Sequence, residues 1–581
     1  MRARAGAVLA VAALTLSACA GIPSSGPVQK VRDDAGLGES TVRYLPAKPT
    51  EGASPEQVVR GFLDAMLAFP ASTRTAATYL TPGAATSWNP SRGTSIYSKP
   101  EVAGRVPSTT GLDDPRAAAK GAVDVRLGFD EEARLDRQGH YTRRARPGAV
   151  TYTLEQVDGE WRITNPPDGI MINQKFFTDY YRSFSLFFFD RPGRRLVPDP
   201  VHLVVGDQLA ANLVTSLVRG PRASIADGSR SYTPSLASLR PSVPVSADGV
   251  ADVEFTADLG DASASARDHL SAQIVWTLRQ VPGIDAVQVI GGSTPLTSEG
   301  REVQPITAWQ DYGAGDAGGH GYALSENSVI QIDDGEVKPL SGAWGRDARG
   351  AVLVGVSDAG VAGVLAGRSQ VRLTSRKGTG ARTITGNDLI GPWWDDDGTL
   401  WLVDRDQGDT RVRVVEGPRL RRVGVAGLRD VDVDTFSLSP DGTRYVVTSP
   451  DAGRNRILAG LVLRDAKDRI LGLGTPREVR TSARGVRSAS WASSTQIGFL
   501  ADSVSGVQVY QVPVDGSATS DDLARGSALL PDVDTDTLAI GRGEEPTLYT
   551  TDARRRLWFQ STDGSWRLLK ASVTTGLTFG G

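Results

Sequence analysis

Cys19 is the residue with the most distinctive chemistry in this sequence, because it is the single cysteine among 581 residues. Its thiolate is a much better nucleophile near neutral pH than any serine or threonine hydroxyl. One cysteine allows no disulfide within the chain, although exported proteins often rely on disulfides. The position of Cys19 therefore indicates a covalent attachment site or, as the simpler alternative, a thiol left over in a discarded leader.

The residues before this cysteine have the layout of a secretory signal peptide. Arg2 and Arg4 form a basic start, an apolar stretch covers residues 5–16, and the small residues Ser17 and Ala18 follow. A membrane-spanning helix needs about 20 apolar residues, which is more than this stretch or any other segment provides. We expect an exported protein without a permanent membrane span.

Leu16, Ser17, Ala18 and Cys19 together resemble the lipobox of bacterial lipoproteins. The resemblance implies that the Cys19 thiolate takes a diacylglycerol group, and that cleavage before Cys19 frees its amine for a further acyl chain. A single chain gives only marginal membrane binding, whereas two or more give a stable anchor. The predicted location is the outer face of the plasma membrane, with the protein held there by covalent lipid.

Length, charge and composition indicate the number of domains and the classes of partner that the chain can bind. The length predicts three or four domains, and the formal net charge of −3 comes from acids and bases mixed along the chain. No basic stripe favours nucleic acid as a partner. Helical patterns fade after about residue 300, so we expect mostly β structure in the C-terminal half.

The first folded domain is predicted to begin after a flexible tether rich in proline, glycine, serine and threonine. Ser54-Pro55-Glu56-Gln57 combines an N-cap, a first-turn proline and a capping-box glutamine, and it precedes apolar residues at helical spacing up to Phe69. A second helix is predicted over residues 73–80. Alternating strands then flank a turn at Asp158-Gly159. Helices followed by a curved antiparallel sheet, with the phrase GEWRI at 159–163, resemble the NTF2-like cone fold.

Residues 175–190, KFFTDYYRSFSLFFFD, hold an unusual share of the aromatic side chains. Aromatic residues often dominate partner interfaces, so this segment could form an exposed docking surface. The favoured interpretation is a seam between two domains.

The next region is predicted to be an α/β module. A strand over residues 201–205 leads to a helix that Asp207 can cap and that Gly220-Pro221 ends, and a hairpin over 243–255 turns at Asp248-Gly249. A longer helix and a strand follow. The phrases LVRGP at 217–221 and IVWTLRQVPGIDAVQV at 274–289 resemble the GerMN domain of exported envelope proteins.

From about residue 304, short strands alternate with turn signals in units of roughly 35 to 50 residues, which predicts a β-propeller. Several units repeat an apolar strand, an Asp-Gly turn and a return strand, as in PWWDDDGTLWLV at 392–403 and LSPDGTRYVV at 438–447. Six such units can be delimited. The blade number stays open between six and eight, since one blade can be closed by strands from both ends.

The sequence offers no usual catalytic constellation. It contains no G-x-S-x-G elbow, H-E-x-x-H pair or P-loop, and the histidines fall in different predicted domains, at His140, His202, His269 and His320. For His202 and His269 we expect structural roles. Distant carboxylate pairs for glycoside cleavage stay open as an alternative.

Two further patterns have simpler interpretations. Gly313, Gly315 and Gly318 match G-x-G-x-x-G, but no strand leads in and no helix follows, so we expect a glycine-rich loop. Asp395 and Asp397 with Gly398 are similar to part of a calcium loop, but the run lies between strands and Trp393 occupies the first ligand position, which favours a blade turn. No metal or cofactor is predicted.

The order of these segments resembles the LpqB family of actinobacterial lipoproteins, with AGIP at 20–23, DGEWRI at 158–163, RGP at 219–221 and SPDGTR at 439–444 in the expected places. The predicted fold class is multidomain, α+β and all-β. The predicted segments are a signal peptide (1–18), a lipid-anchored tether (19–53), an NTF2-like domain (54–190), a GerMN domain (191–300) and a β-propeller (301–581).

The family resemblance implies an accessory protein without enzymatic activity. Its partner would be the extracytoplasmic sensor domain of an MtrB-type histidine kinase, whose two-component signalling it would modulate in cell-envelope homeostasis and division. The resemblance carries over only Cys19 as a functional residue. The alternative is an envelope glycan-binding protein or hydrolase that acts through the face of the propeller.

Overall fold

A computed structural model describes residues 44–581 except 70, 105, 108–120, 314–318, 334, 407, 452–453, 482, 505, 518–534, 536, 542–546, 562–563 and 581. The lipobox from Leu16 to Cys19 and most of the predicted tether lie outside the described residues, and their assignment stays a prediction. The predicted fold class is confirmed: an N-terminal α+β domain precedes a module of helices and strands, called the GerMN module after its predicted resemblance, and a β-propeller. No helix within the described part of the chain has the length and apolar character needed to span a bilayer.

The N-terminal domain consists of α1 (Pro55–Ala65), α2 (Arg74–Ala77), α3 (Pro82–Ser87), β1 (Thr94–Val102), β2 (Val106–Pro107), β3 (Val123–Leu135), β4 (Tyr141–Val157), β5 (Glu160–Ile163), β6 (Ile170–Asn173) and α4 (Gln174–Tyr180). The sheet order is β5-β4-β3-β1-β6, with β2 paired to β3. Helix α1 packs Phe62 against Trp88 and Tyr152, and this contact forms the centre of the domain core.

Local sequence signals set the ends of these elements. The Ser54 hydroxyl accepts a hydrogen bond from the Gln57 backbone N–H, while the Gln57 side chain accepts one from the Ser54 N–H, which completes the expected capping box. Asp158 and Gly159 both have positive φ, at 53° and 84°, as a two-residue type I′ hairpin turn requires. The second predicted helix is shorter than expected, because only Arg74–Ala77 is α-helical.

The GerMN module consists of β7 (Tyr181–Asp190), β8 (Leu196–Val204), α5 (Leu209–Val218), α6 (Ala223–Ala226), β9 (Ser229–Arg230), β10 (Val250–Phe255), α7 (Ala264–Leu278), β11 (Ala286–Gly291), β12 (Thr294–Pro295) and β13 (Val303–Pro305). One sheet has the order β8-β7-β9. In the other, β10 and β11 run parallel and β12 and β13 pair with β11. Helices α5 and α7 share a core with the apolar face of β7.

The structure corrects two details of this module. Helix α5 begins at Leu209 after Gln208, so Asp207 is not its N-cap. The turn at Asp248-Gly249 forms, but its first arm makes only isolated bridges, and β10 finds its main partner in β11. Strand β7 pairs with β8, and β13 pairs with β11, so both strands belong to the sheets of this module. The boundaries at residues 191 and 300 stay a prediction.

The propeller strands are β14 (Gly321–Ser325), β15 (Ser328–Asp333), β16 (Glu336–Pro339), β17 (Ala351–Ser357), β18 (Gly360–Leu365), β19 (Gln370–Thr374), β20 (Arg382–Thr385), β21 (Leu389–Trp394), β22 (Leu400–Asp406), β23 (Asp409–Glu416), β24 (Arg419–Val425), β25 (Thr435–Leu438), β26 (Arg444–Asp451), β27 (Arg454–Arg464), β28 (Ile470–Leu473), β29 (Arg477–Glu478), β30 (Arg484–Trp491), β31 (Gln496–Ser503), β32 (Gly506–Pro513), β33 (Leu538–Ile540), β34 (Leu548–Thr551), β35 (Arg556–Gln560), β36 (Trp566–Ser572) and β37 (Thr575–Phe579).

These strands form six blades within the described residues. The innermost strands, β37, β17, β21, β25, β30 and β33, each contact the next around a closed ring. The last strand, β37, pairs antiparallel with β14 and completes the first blade from the other end of the chain. The blade number therefore lies at the lower limit of the range left open by the sequence.

Candidate functional site

The segment 175–190 is a seam, as favoured from the sequence. Its helical half packs Phe176 and Phe177 into the N-terminal domain, whereas Phe184, Phe188 and Phe189 on β7 lie in the core of the GerMN module. All five side chains are buried. This segment thus joins two cores and offers no exposed aromatic docking surface.

Asp395 and Asp397 belong to a blade turn, as expected. The Asp395 carboxylate accepts hydrogen bonds from the backbone N–H groups of Asp397 and Thr399, at 3.1 and 2.9 Å, and from the Trp401 indole at 3.0 Å. These bonds, with Arg464 at 3.3 Å, occupy the carboxylate. Within the described residues, no group of three or more His, Cys, Asp or Glu side chains is arranged to hold a metal ion.

The glycine pattern at 313, 315 and 318 falls mostly outside the described residues. Gly313 itself follows a short 3-10 turn and lies against the Trp276 ring, where a Cβ would come within 2.4 Å of a ring carbon. The Trp276 ring leaves no room for a Cβ at position 313, so close packing accounts for the glycine there.

A cavity of about 270 Å³ lies at the centre of the propeller, lined by residues of the innermost strands. Trp393 and Phe436 pack there with ring centroids 5.1 Å apart. Asp434 is the one carboxylate among the described lining residues, and Arg368 the one guanidinium. Burial and the neighbouring Asp432 raise the pKa of Asp434, while Arg405 at 3.4 Å opposes that rise. A pair of carboxylates for glycoside cleavage does not form at this cavity among the described residues.

Ion pairs join the GerMN module to the propeller at the turn between β7 and β8. Arg195 contacts Asp397 at 2.6 Å, and Arg194 contacts both Asp397, at 3.7 Å, and Asp468. Arg464 of the propeller lies 3.3 Å from Asp468 and completes the cluster. Burial alone would raise the pKa of Asp397, but its hydrogen bond to Arg195 and the surrounding arginines hold that pKa below the usual range.

A second contact between the same two domains is the buried side chain of Arg444, which begins β26. Its guanidinium donates to the Ser494 carbonyl at 2.9 Å and to the Pro198 carbonyl of the GerMN module. Burial lowers the pKa of Arg444, while the charges of Asp441 and Asp199 oppose that effect. The sequence predicts a turn at SPDGTR, but not that its arginine crosses into another domain.

The contact between the N-terminal domain and the GerMN module centres on His140, which is buried in the loop between β3 and β4. Nδ1 of its ring lies 2.8 Å from Asp136, and Nε2 lies 3.1 Å from Asp199 of β8. An imidazole between two carboxylates satisfies both only when both nitrogens carry protons. Burial would lower the pKa of His140, but the hydrogen bonds to Asp136 and Asp199 prevail and raise it.

Asp199 links this histidine to an arginine. Its carboxylate also receives the Arg222 guanidinium and the Arg222 backbone N–H, the latter at 3.0 Å. Although burial opposes ionisation, Arg222 and His140 lower the pKa of Asp199 to about 2. The network is thus an alternating row of acids and bases within the boundary of the two domains.

His202 of β8 contacts all three domains. Its backbone N–H donates to the Gly139 carbonyl at 2.7 Å, its ring packs on Tyr141 and Phe177, and its Nε2 lies 3.0 Å from the propeller residue Asp515. His269, in α7, hydrogen-bonds the carbonyls of Ser265 and Gly193. Both histidines are held by structural partners, as expected from the sequence. His320 lies on the propeller 3.4 Å from Asp333, away from this junction.

These contacts join the three domains into one compact unit. Sequence patterns identify the turns and strands that supply the residues. They do not identify His202 or Arg444 as contacts between domains, because each pairs with a residue more than 200 positions away.

Three family models match the chain in the same order. They are "Lipoprotein LpqB, N-terminal domain" at residues 48–178, "Sporulation and spore germination" at 185–297, and "Lipoprotein LpqB beta-propeller domain" at 327–576. Together they cover each of the domains described above.

Similar proteins agree with these matches. A Lipoprotein LpqB from Thermobifida fusca is 28% identical over 95% of this chain and 96% of its own length. One from Streptomyces avermitilis is 26% identical over 89% of each chain. Among solved structures, TolB from Acinetobacter baumannii is similar over 56% of this chain and 86% of its own, with 14% identity and a TM-score of 0.33. From the family models and the full-length relatives, the chain belongs to the LpqB lipoprotein family.

Proposed function

We propose that this protein is a non-catalytic accessory lipoprotein that binds the extracytoplasmic sensor domain of an MtrB-type histidine kinase and modulates its signalling. Cys19 would anchor it by lipid to the outer face of the plasma membrane. The observation that carries the proposal is the full-length match to lipoproteins, together with a sole cysteine placed directly after a signal-like leader.

Physical considerations support a tethered binding protein. Confinement near the membrane raises the effective concentration toward a membrane-embedded partner, to the order of millimolar for a short flexible link. A domain of modest affinity is then occupied without tight intrinsic binding. The contacts that join the three domains into one compact unit also limit the entropy lost when one face docks.

Replacing the anchor tests the tethering step. In Cys19→Ser cells we expect the protein to leave the membrane fraction and phosphorylation of the kinase's partner regulator to become the same as in a deletion strain. Ser17→Ala is the matched control, because it keeps a small residue in the lipobox and should preserve both. Undiminished output from an unanchored Cys19→Ser chain would contradict tethering.

A binding measurement tests the partner. The full chain in neutral detergent is passed over immobilised kinase sensor domain and, separately, over immobilised peptidoglycan fragments. Saturable binding to the sensor domain alone is the expected result. Binding or turnover of the glycan without binding to the sensor domain would overturn the proposal and favour the envelope glycan-binding or hydrolase alternative.

A further inference from the structure

A cleft of about 650 Å³ opens where the three domains meet. One wall is the start of β4, the second is formed by Asp199, Pro200 and the start of α6, and the third belongs to the propeller blade that contains β27 and β29. Its volume is in the range of small-molecule sites, and such sites occur preferentially at domain interfaces.

The lining of the cleft is strongly cationic. It includes seven arginines and only three carboxylates, and the arginines are Arg143, Arg144, Arg146, Arg222, Arg444, Arg477 and Arg480. Three of the seven are already engaged. Arg146 pairs with Glu131 at 2.9 Å, Arg222 pairs with Asp199, and Arg444 donates to backbone carbonyls.

The other four guanidiniums, of Arg143, Arg144, Arg477 and Arg480, make no hydrogen bond or ion pair with any residue that the structure describes. Arg143 is partly buried and the other three are exposed. Two come from the N-terminal domain and two from the propeller, so the cleft collects cationic groups from two different domains.

A β-bulge in β4 positions the two arginines of the N-terminal domain, Arg143 and Arg144. Between Arg143 and Arg146, β4 has one residue more than its partner β3, and Ala145 has a φ of +47°. Such a bulge breaks the strict alternation of side chains along a strand. Consecutive residues Arg143 and Arg144 can therefore both line the cleft.

The carboxylates in the lining do not neutralise these four arginines. Asp199 is held by His140 and Arg222, and Asp515 lies against His202. Glu478 is the remaining acid, and it is exposed between Arg477 and Arg480. The cleft thus keeps an excess of positive charge at its rim. Below the rim, Ile225, Leu461 and Val479 give the lining apolar atoms.

We propose that this cleft binds an organic phosphate. Its phosphoryl oxygens would accept hydrogen bonds from Arg143, Arg144, Arg477 and Arg480, and its carbon portion would pack on the apolar lining. Arginine presents a planar fork that matches the non-bridging oxygens of a phosphate group bidentately. The ligand is either a soluble phosphate ester or the headgroup of an anionic phospholipid, since both have this chemistry.

Calorimetric titration of the full chain in neutral detergent distinguishes the two sources. Glycerol phosphate represents a soluble monoester, glycerophosphoglycerol represents a deacylated lipid headgroup, and glycerol is the uncharged control. Saturable binding of either phosphate, with no heat from glycerol, supports the proposal, and the tighter of the two identifies the source. Absence of saturable binding for both phosphates would overturn it.

Substitutions localise the site. Arg143→Gln/Arg144→Gln and Arg477→Gln/Arg480→Gln should each weaken the binding about tenfold or more, because each removes two charged donors. Arg419→Gln/Arg422→Gln, on exposed positions of β24, is the matched control with the same change of charge and should leave affinity unchanged. An unchanged unfolding midpoint shows that each variant is folded. An equal loss of affinity in the control would indicate non-specific attraction and contradict the site.

Discussion

The GerMN module has two joints, one with the propeller and one with the N-terminal domain, and the two use different charged side chains. The GerMN module meets the propeller through arginines, with Arg444 buried and Arg194 and Arg195 paired to blade-turn carboxylates. It meets the N-terminal domain through His140, held between Asp136 and Asp199. Arginine stays protonated at all physiological pH values, whereas histidine titrates within that range. The charges of the arginines at the first joint therefore stay constant over this range, although His202 also lies there beside Asp515, whereas the charge of His140 at the second joint changes with pH.

This difference indicates that a rise in pH can weaken the contact of the N-terminal domain through His140, while the arginine contacts to the propeller keep their charge. Three sets of substitutions test the contrast.

Loss of Arg444 is expected to have the largest effect. Arg444→Ala removes a buried cation and leaves the carbonyls of Pro198 and Ser494 without their donor, so the free energy of unfolding should fall by about 3 kcal/mol. Denaturant unfolding of the full chain measures this change. The control is Arg469→Ala, at an arginine that is 67% exposed and pairs with Asp465, where the expected loss is below about 1 kcal/mol. Equal losses in the two variants would contradict the assignment of Arg444 to the joint.

The Arg195–Asp397 pair should contribute less. Its two side chains are 15% and 26% exposed, so solvent screens their attraction only in part. A double-mutant cycle of Arg195→Ala and Asp397→Ala should give a coupling energy of about 1 kcal/mol in favour of the pair. Coupling near zero would show that the turn between β7 and β8 is held by Arg194 and by packing instead.

The pH dependence of His140 should be the smallest effect. Because the folded protein raises the pKa of His140, its stabilising contribution is complete below the ordinary histidine pKa of about 6.5 and is lost as pH rises through the folded value. The nearby carboxyls do not titrate in this window, since the pKa values of Asp136 and Asp199 are both lowered.

The measurement compares the free energy of unfolding at pH 6 and at pH 8, which lie on either side of the ordinary histidine pKa of about 6.5. His140→Gln should reduce the fall in stability seen for the unmodified chain. His320→Gln, at a histidine whose side chain is 43% exposed, should leave that fall unchanged. If His140→Gln shows the same fall as the unmodified chain, the joint does not depend on the charge of this imidazole.

Local chemistry predicts much of the fold. The Ser54 capping box, the Asp158-Gly159 hairpin turn and the repeated Asp-Gly turns all act within a few residues, and each forms as expected. Asp207 fails as a cap because the chain turns into the helix one residue later, at Gln208. Neighbouring residues alone do not settle where a helix begins.

Contacts distant in sequence are not predictable in the same way. The pairing of β37 with β14 joins residues more than 240 positions apart, and Arg444 reaches a carbonyl 246 positions away. The pairing of β7 and β13 within the GerMN module is equally hard to predict, because these strands join a sheet and a core that only the folded module assembles. The arginine cleft combines segments from three domains, and none of them alone indicates a ligand.

Mass spectrometry of the protein isolated from its native membrane tests the central claim, that a lipid on Cys19 tethers this body. We expect Cys19 to be the first residue of the mature chain and to carry a diacylglyceryl group on its sulfur. A mature chain that retains its leader, or that begins elsewhere without lipid, would contradict it.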